Sequence, residues 1–154
     1  MRLGLTPALG GALLSLALLL GGCSPAVALP DPVPTGADLT TCRALMADLP
    51  ERVLDQDRRE AEPGVFSAAW GDPAITLRCG VSKPPELGPG STCLEANGVG
   101  WFTEDAEGGR LFTTIGRQTY VELAVPTAYA PESGALVDVA ATVAAHDRLL
   151  SPCV

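Results

Sequence analysis

At 154 residues the chain is long enough for one modest hydrophobic core and too short for two domains of ordinary size. Ten basic residues against eighteen acidic ones give a net charge of −8, which excludes nucleic-acid binding by phosphate neutralisation. With one histidine and no Gly-x-Ser-x-Gly elbow, phosphate loop or dinucleotide fingerprint, the sequence offers no catalytic or cofactor motif, and no cofactor is expected.

The first stretch reads as an address. Leu3 to Pro30 carry no charge, and Ala12 to Leu20 is nearly all Leu and Ala. The run ends in Leu20-Gly21-Gly22-Cys23, which resembles the lipobox of bacterial lipoproteins: an aliphatic residue, two small ones, then Cys. That resemblance implies removal of residues 1–22, a diacylglycerol on Cys23 and a domain held outside the cell membrane by acyl chains. An uncleaved N-terminal transmembrane anchor is the alternative and gives the same topology, although Pro7, Gly4, Gly10, Gly11 and Gly21 weaken such a helix. Residues 23–154 hold nine basic and eighteen acidic side chains, a net of −9. Anionic headgroups repel such a domain, which makes a covalent anchor useful.

Cysteine parity agrees with export. Of five cysteines, lipidation of Cys23 leaves Cys42, Cys79, Cys93 and Cys153, an even set that reads as two disulfides. Three pairings are open. The expected one is Cys79–Cys93, closing a short Pro/Gly loop worth roughly 3 kcal/mol, with Cys42–Cys153 tying the domain's ends for about 4–5 kcal/mol. Zinc is the rival, but there is no Cys-x-x-Cys and His146 is the only imidazole.

In chain order, residues 23–38 read as a flexible tether. Thr40 or Thr41 then caps a helix whose apolar face is Leu39, Cys42, Leu45, Met46 and Leu49. The charged stretch 51–64 reads as a solvated connector. Strands are expected at Phe66–Trp70 and, from alternation of Ile75, Leu77, Cys79 and Val81, at 75–81. A Pro/Gly loop occupies 82–92. Further strands are expected at 98–103, 111–115 and 119–125, with Glu104–Gly109 as a polar hairpin turn. Ser133 caps a final helix running to about Leu150, with Leu136, Val139, Ala140, Val143, Ala144 and Leu150 as its buried stripe. Helix, four to five strands, helix predicts an α+β domain over 39–154. Its antiparallel sheet carries the N- and C-terminal helices on one face.

Several of these segments resemble an actinobacterial envelope family, domain-of-unknown-function family 3515. Ala68-Ala69-Trp70-Gly71-Asp72-Pro73-Ala74-Ile75 followed by Leu77-Arg78-Cys79-Gly80-Val81 carry the resemblance most specifically. Gly98-Val99-Gly100-Trp101, Ile115-Gly116-Arg117 and Val121 to Pro126 with Tyr129 extend it over most of residues 40–153. The resemblance implies a small secreted or membrane-anchored protein and brings no catalytic residues.

Chemistry has few candidates. His146 sits in the final helix beside Asp147, and adjacent helical residues do not face each other, so no nucleophile–base pair is expected there. Glu104, Asp105 and Glu107 cluster on an expected exposed turn, where solvation explains them and calcium-loop spacing is missing. Arg78, Arg117 and Glu122 are expected together on the open face of the sheet, as cross-strand ion pairs or as a ligand or partner face. Trp70 and Trp101 read as core anchors. The expected function is a non-catalytic module that binds an envelope protein or cell-wall partner. A small-ligand carrier or sensor on the open face is the first alternative, and a carboxylate-dependent cell-wall enzyme the second.

Overall fold

The computed structural model describes residues 25–153, so the address segment and Cys23 lie outside the described residues. The elements run β1 (Val27–Leu29), α1 (Gly36–Ala47), β2 (Arg52–Val53), β3 (Gln56–Arg59), β4 (Ala61–Pro63), β5 (Ser67–Trp70), β6 (Ile75–Cys79), β7 (Leu94–Ala96), β8 (Val99–Ala106), β9 (Gly109–Ile115), β10 (Val121–Pro126) and α2 (Gly134–His146). Eight strands form one sheet in the order β2-β3-β5-β6-β10-β9-β8-β7, and β1 and β4 form a separate two-stranded ribbon. Among the described residues, no helix is long and apolar enough to cross a membrane.

Alternation builds the central strands. Ile75, Leu77 and Cys79 point to the core, as do Val121, Leu123 and Val125 of the neighbouring strand, and Leu77 lies opposite Leu123. Phe112, Trp101 and Trp70 complete that inner face. Both helices pack there: Cys42 and Leu45 of α1 and Leu136, Val139, Ala140 and Val143 of α2 share the same buried cluster. Each fully buried aliphatic side chain contributes about 1.5–3 kcal/mol. Trp70 also satisfies its indole N–H on the Pro50 carbonyl at 2.9 Å. The α+β class and the two terminal helices therefore match expectation, but the main sheet has eight strands rather than four or five.

The missed strands have identifiable causes. Residues 51–64 were expected as a connector because most of their side chains are charged, yet they form β2, β3 and β4. The β2–β3 hairpin turns on Leu54 and Asp55, both at positive φ, in a two-residue loop that lacks the usual Asn-Gly signal. As a sheet edge it is solvated on most sides, so no apolar alternation marks it. The strand β7 was also unexpected, although Asn97-Gly98 is the ordinary two-residue signal for the hairpin joining it to β8. The expected polar turn at Glu104–Gly109 is shorter than read: β8 continues to Ala106, and Glu107-Gly108 make the turn. The helix α1 starts at Gly36 with Thr35 before it, not at Thr40 or Thr41. The helix α2 stops at His146; Ala144 and Leu150 are exposed.

The disulfides correct the expected connectivity. They are Cys42–Cys79 and Cys93–Cys153, with Cα separations of 5.5 and 5.8 Å. Cys79 ends β6 on the core face, directly under α1. Cys93 precedes β7, four strands away, a separation of about 19 Å that no disulfide bridges. The tail after α2 instead returns across the sheet. Gln118 N–H donates to the Arg148 carbonyl, and Leu150 and Ser151 N–H both donate to Gly116. Cys153 thereby arrives at Cys93, above Gly100, where a Cβ would collide with both sulfurs. The pairing also leaves none of these four thiols free for the rival zinc site.

The expected tether is largely folded. Val27–Leu29 pair in parallel with Ala61–Pro63. Asp31 accepts from the Val65 N–H at 2.7 Å and from the Ser67 hydroxyl. Residues 25–35 form a strap that runs past β5 to Gly80, where Pro34 packs so closely that only glycine fits.

A candidate binding cleft on the open sheet face

The sheet face away from the helices is written by the other half of each alternation. Register places Ser67, Arg78, Glu122, Thr113 and Phe102 in one cross-strand row, and Ala69, Thr76, Ala124, Leu111 and Glu104 in the next. The strap covers one side of this face. The loop after β6 rises on the other, with Leu87 tucked down and buried. Between them lies an open cleft of about 680 Å³, within the size range of small-molecule and peptide sites. Pro30, Pro32 and Val33 of the strap form one wall, and Val81, Pro84 and Pro85 the other.

Its floor is the Arg78–Glu122 pair, half-buried on adjacent strands. Arg78 donates from Nε at 2.9 Å and from Nη2 at 2.7 Å to the same Glu122 oxygen, Oε1. That leaves one carboxylate oxygen and the second guanidinium nitrogen for a visitor, an acceptor and a donor side by side. Glu104 and Leu111 close the far end, and Lys83 stands on the rim. The Glu104 carboxyl is held above the usual carboxylate range. Desolvation is the main cause, followed by the charge of Glu86, whose carboxyl hydrogen-bonds to it, and then by Glu122.

Arg117, expected on this face, is elsewhere. It is buried in the β9–β10 turn, with Nη1 donating to the Asp147 carbonyl and Nη2 to the Gly98 carbonyl at 3.0 Å. Its neighbour Asp147 is fully buried, accepts from Thr119 N–H at 3.1 Å, and is pushed up to about 6 chiefly by burial. This cluster fastens the C-terminal tail. A turn residue has no strand alternation to assign its side, so sequence gave Arg117 no reliable direction.

Other candidates resolve into structure. Glu104 faces the cleft, Asp105 points the opposite way and pairs with Arg110 at 3.3 Å, and Glu107 sits at the hairpin tip; successive strand residues cannot converge. His146 reaches Asp48 at 3.0 Å, a tie between α2 and the end of α1. Trp70 and Trp101 are both fully buried. Arg58 stacks over Trp70 at 5.6 Å, and Arg59 donates to the Gly71 and Pro25 carbonyls. Sequence reasoning missed the two Pro-rich walls. Proline carries no periodicity, and the strap reaches the sheet through isolated contacts, Asp31 on Ser67 and Pro34 on Gly80.

Fold and site together define a small disulfide-bonded α+β domain with a strap-walled cleft on the uncovered face of its sheet. The chain belongs to the family described as Protein of unknown function (DUF3515), whose model matches residues 9–148. It matches no curated protein and no solved structure.

Proposed function

We propose that the protein is an exported lipoprotein, anchored through Cys23, that acts as a non-catalytic binding module of the cell envelope. The observation that carries the reading is the cleft: about 680 Å³, with prolines in two walls and a half-buried Arg78–Glu122 pair on its floor. A surface pair that only stabilised the sheet needs no walls; here two loops are built up around it. The exposed donor and acceptor suit an amide or carboxamide group, and the open mouth suits an extended segment of a protein or peptide partner. A small ligand on the same floor is the alternative occupant.

In-cell cross-linking followed by affinity capture and mass spectrometry tests this. One or two envelope proteins recovered with the wild type and lost with Arg78→Ala support the module. Equal recovery with Arg78→Ala removes the cleft from the reading. Absence of a protein partner, with binding of soluble wall fragments, shifts the occupant to a small ligand. A second reading, a carboxylate-dependent enzyme on wall glycans, draws support from Glu104 and Glu122 sharing one cleft with the Glu104 carboxyl pushed up. It requires new reducing ends from purified wall glycan with the wild type and none with Glu104→Gln.

A further inference from the structure

The strap is docked from its first described residue. The Pro25 carbonyl accepts from Arg59 Nη2 at 3.0 Å, Val27 N–H donates to the Glu60 carbonyl at 2.8 Å, and β1 then pairs with β4. In sequence only Ser24 separates Pro25 from Cys23. Two extended steps of chain cover at most about 7 Å. A lipid on Cys23 therefore has no slack with which to lift the domain away.

The strap and ribbon that lead away from that point carry two exposed large apolar side chains. Val33 is 86% exposed and Val65 59% exposed, and the Asp31–Val65 hydrogen bond ties their two segments together. Pro25, Ala28, Pro30 and Pro63 are exposed in the same strap and ribbon. Two large apolar side chains left in water on the segment that leads directly from an anchor suit a contact surface. We infer that the strap and β1–β4 ribbon, centred on Val33 and Val65, form a membrane-seating surface whose partner is the lipid bilayer itself. The inference rests on the lipid anchor proposed above. Glu60 and Glu62 flank the ribbon and oppose anionic headgroups, so the seating is apolar and covalent and favours zwitterionic lipid. Because Val33 also lines the cleft, the cleft mouth opens beside the bilayer, and its occupant is a membrane-proximal segment.

The test uses lipidated full-length protein in vesicles of brominated phosphatidylcholine, which quenches tryptophan emission at the lipid surface. Trp70 and Trp101 are core residues and give a constant background. Val33→Trp and Val65→Trp should each add emission that is blue-shifted and largely quenched. Val137→Trp, on the exposed flank of α2, should add emission that is not. Inserting about fifteen Gly/Ser residues between Ser24 and Pro25 should remove most of the quenching, by lowering the effective concentration of the surface at the bilayer. Equal quenching at all three positions, or none at Val33 and Val65, overturns the seating. Vesicle flotation reads the anchor separately: protein that fails to float overturns the lipid reading, whereas protein that floats unquenched overturns only the seating.

Discussion

Leu77 and Arg78 are neighbours in the chain and belong to opposite worlds. Leu77 faces Leu123 beneath two helices; Arg78 faces Glu122 in an open cleft. The same contrast runs across the sheet, helix side against strap side. On the helix side most positions are filled by apolar side chains around a buried disulfide, so its residues answer to packing. On the strap side the cover is partial, made of prolines and loops, and polar side chains are left within reach of a visitor. The difference separates what holds the fold from what the fold presents.

The largest expected effect lies on the helix side. Replacing Cys42 and Cys79 by Ala removes a bridge spanning 37 residues and should lower unfolding stability by about 4 kcal/mol in urea titration. A loss below about 1 kcal/mol would mean that α1 is fixed without it, and would weaken the contrast. Next comes Leu77→Ala, expected to cost about 3 kcal/mol through lost burial and a residual cavity.

Asp147 gives an intermediate, pH-dependent effect. Its folded value of about 6 lies above the unfolded 3.8, so the native state binds the proton more tightly. The contribution of Asp147 to stability should be highest below about pH 4, fall as pH rises from 4 to 6, and level off above; its full span is on the order of 2–3 kcal/mol. Asp147→Asn should flatten that slope and gain relative to wild type at pH 8, read by thermal melts across the range. A slope unchanged in the variant assigns the pH dependence to another group. The smallest expected effect sharpens the comparison most. Arg78→Ala should cost no more than about 1 kcal/mol of stability, because the pair is partly solvated, while removing partner capture. A loss as large as that of Leu77→Ala would make Arg78 a structural residue.

How much of this was legible depended on the kind of signal. Strands whose faces differ in polarity were readable from alternation: β6 and β10 stand where Ile75, Leu77, Val121, Leu123 and Val125 put them, and the facing of Arg78 and Glu122 followed. The edge strands β2 and β3 were not, because a solvated edge has no face to mark. Disulfide parity was legible and connectivity was not. Parity is a count, whereas pairing depends on strand order, and the order β6-β10-β9-β8-β7 puts Cys79 and Cys93 four strands apart. The cleft was half legible. Its floor came from alternation, but its walls depend on a strap held by single contacts such as Asp31 to Val65, which leave no pattern in the chain.

The most direct test is site-specific photocross-linking in living cells, from Ser82 on the cleft rim and from Ala141 on the outer surface of α2. Adducts from Ser82 that disappear when Arg78→Ala is added, with none from Ala141, are the expected result and place recognition on the strap side. Adducts from Ala141 alone, or Ser82 adducts indifferent to Arg78, would contradict the division of labour between the two faces.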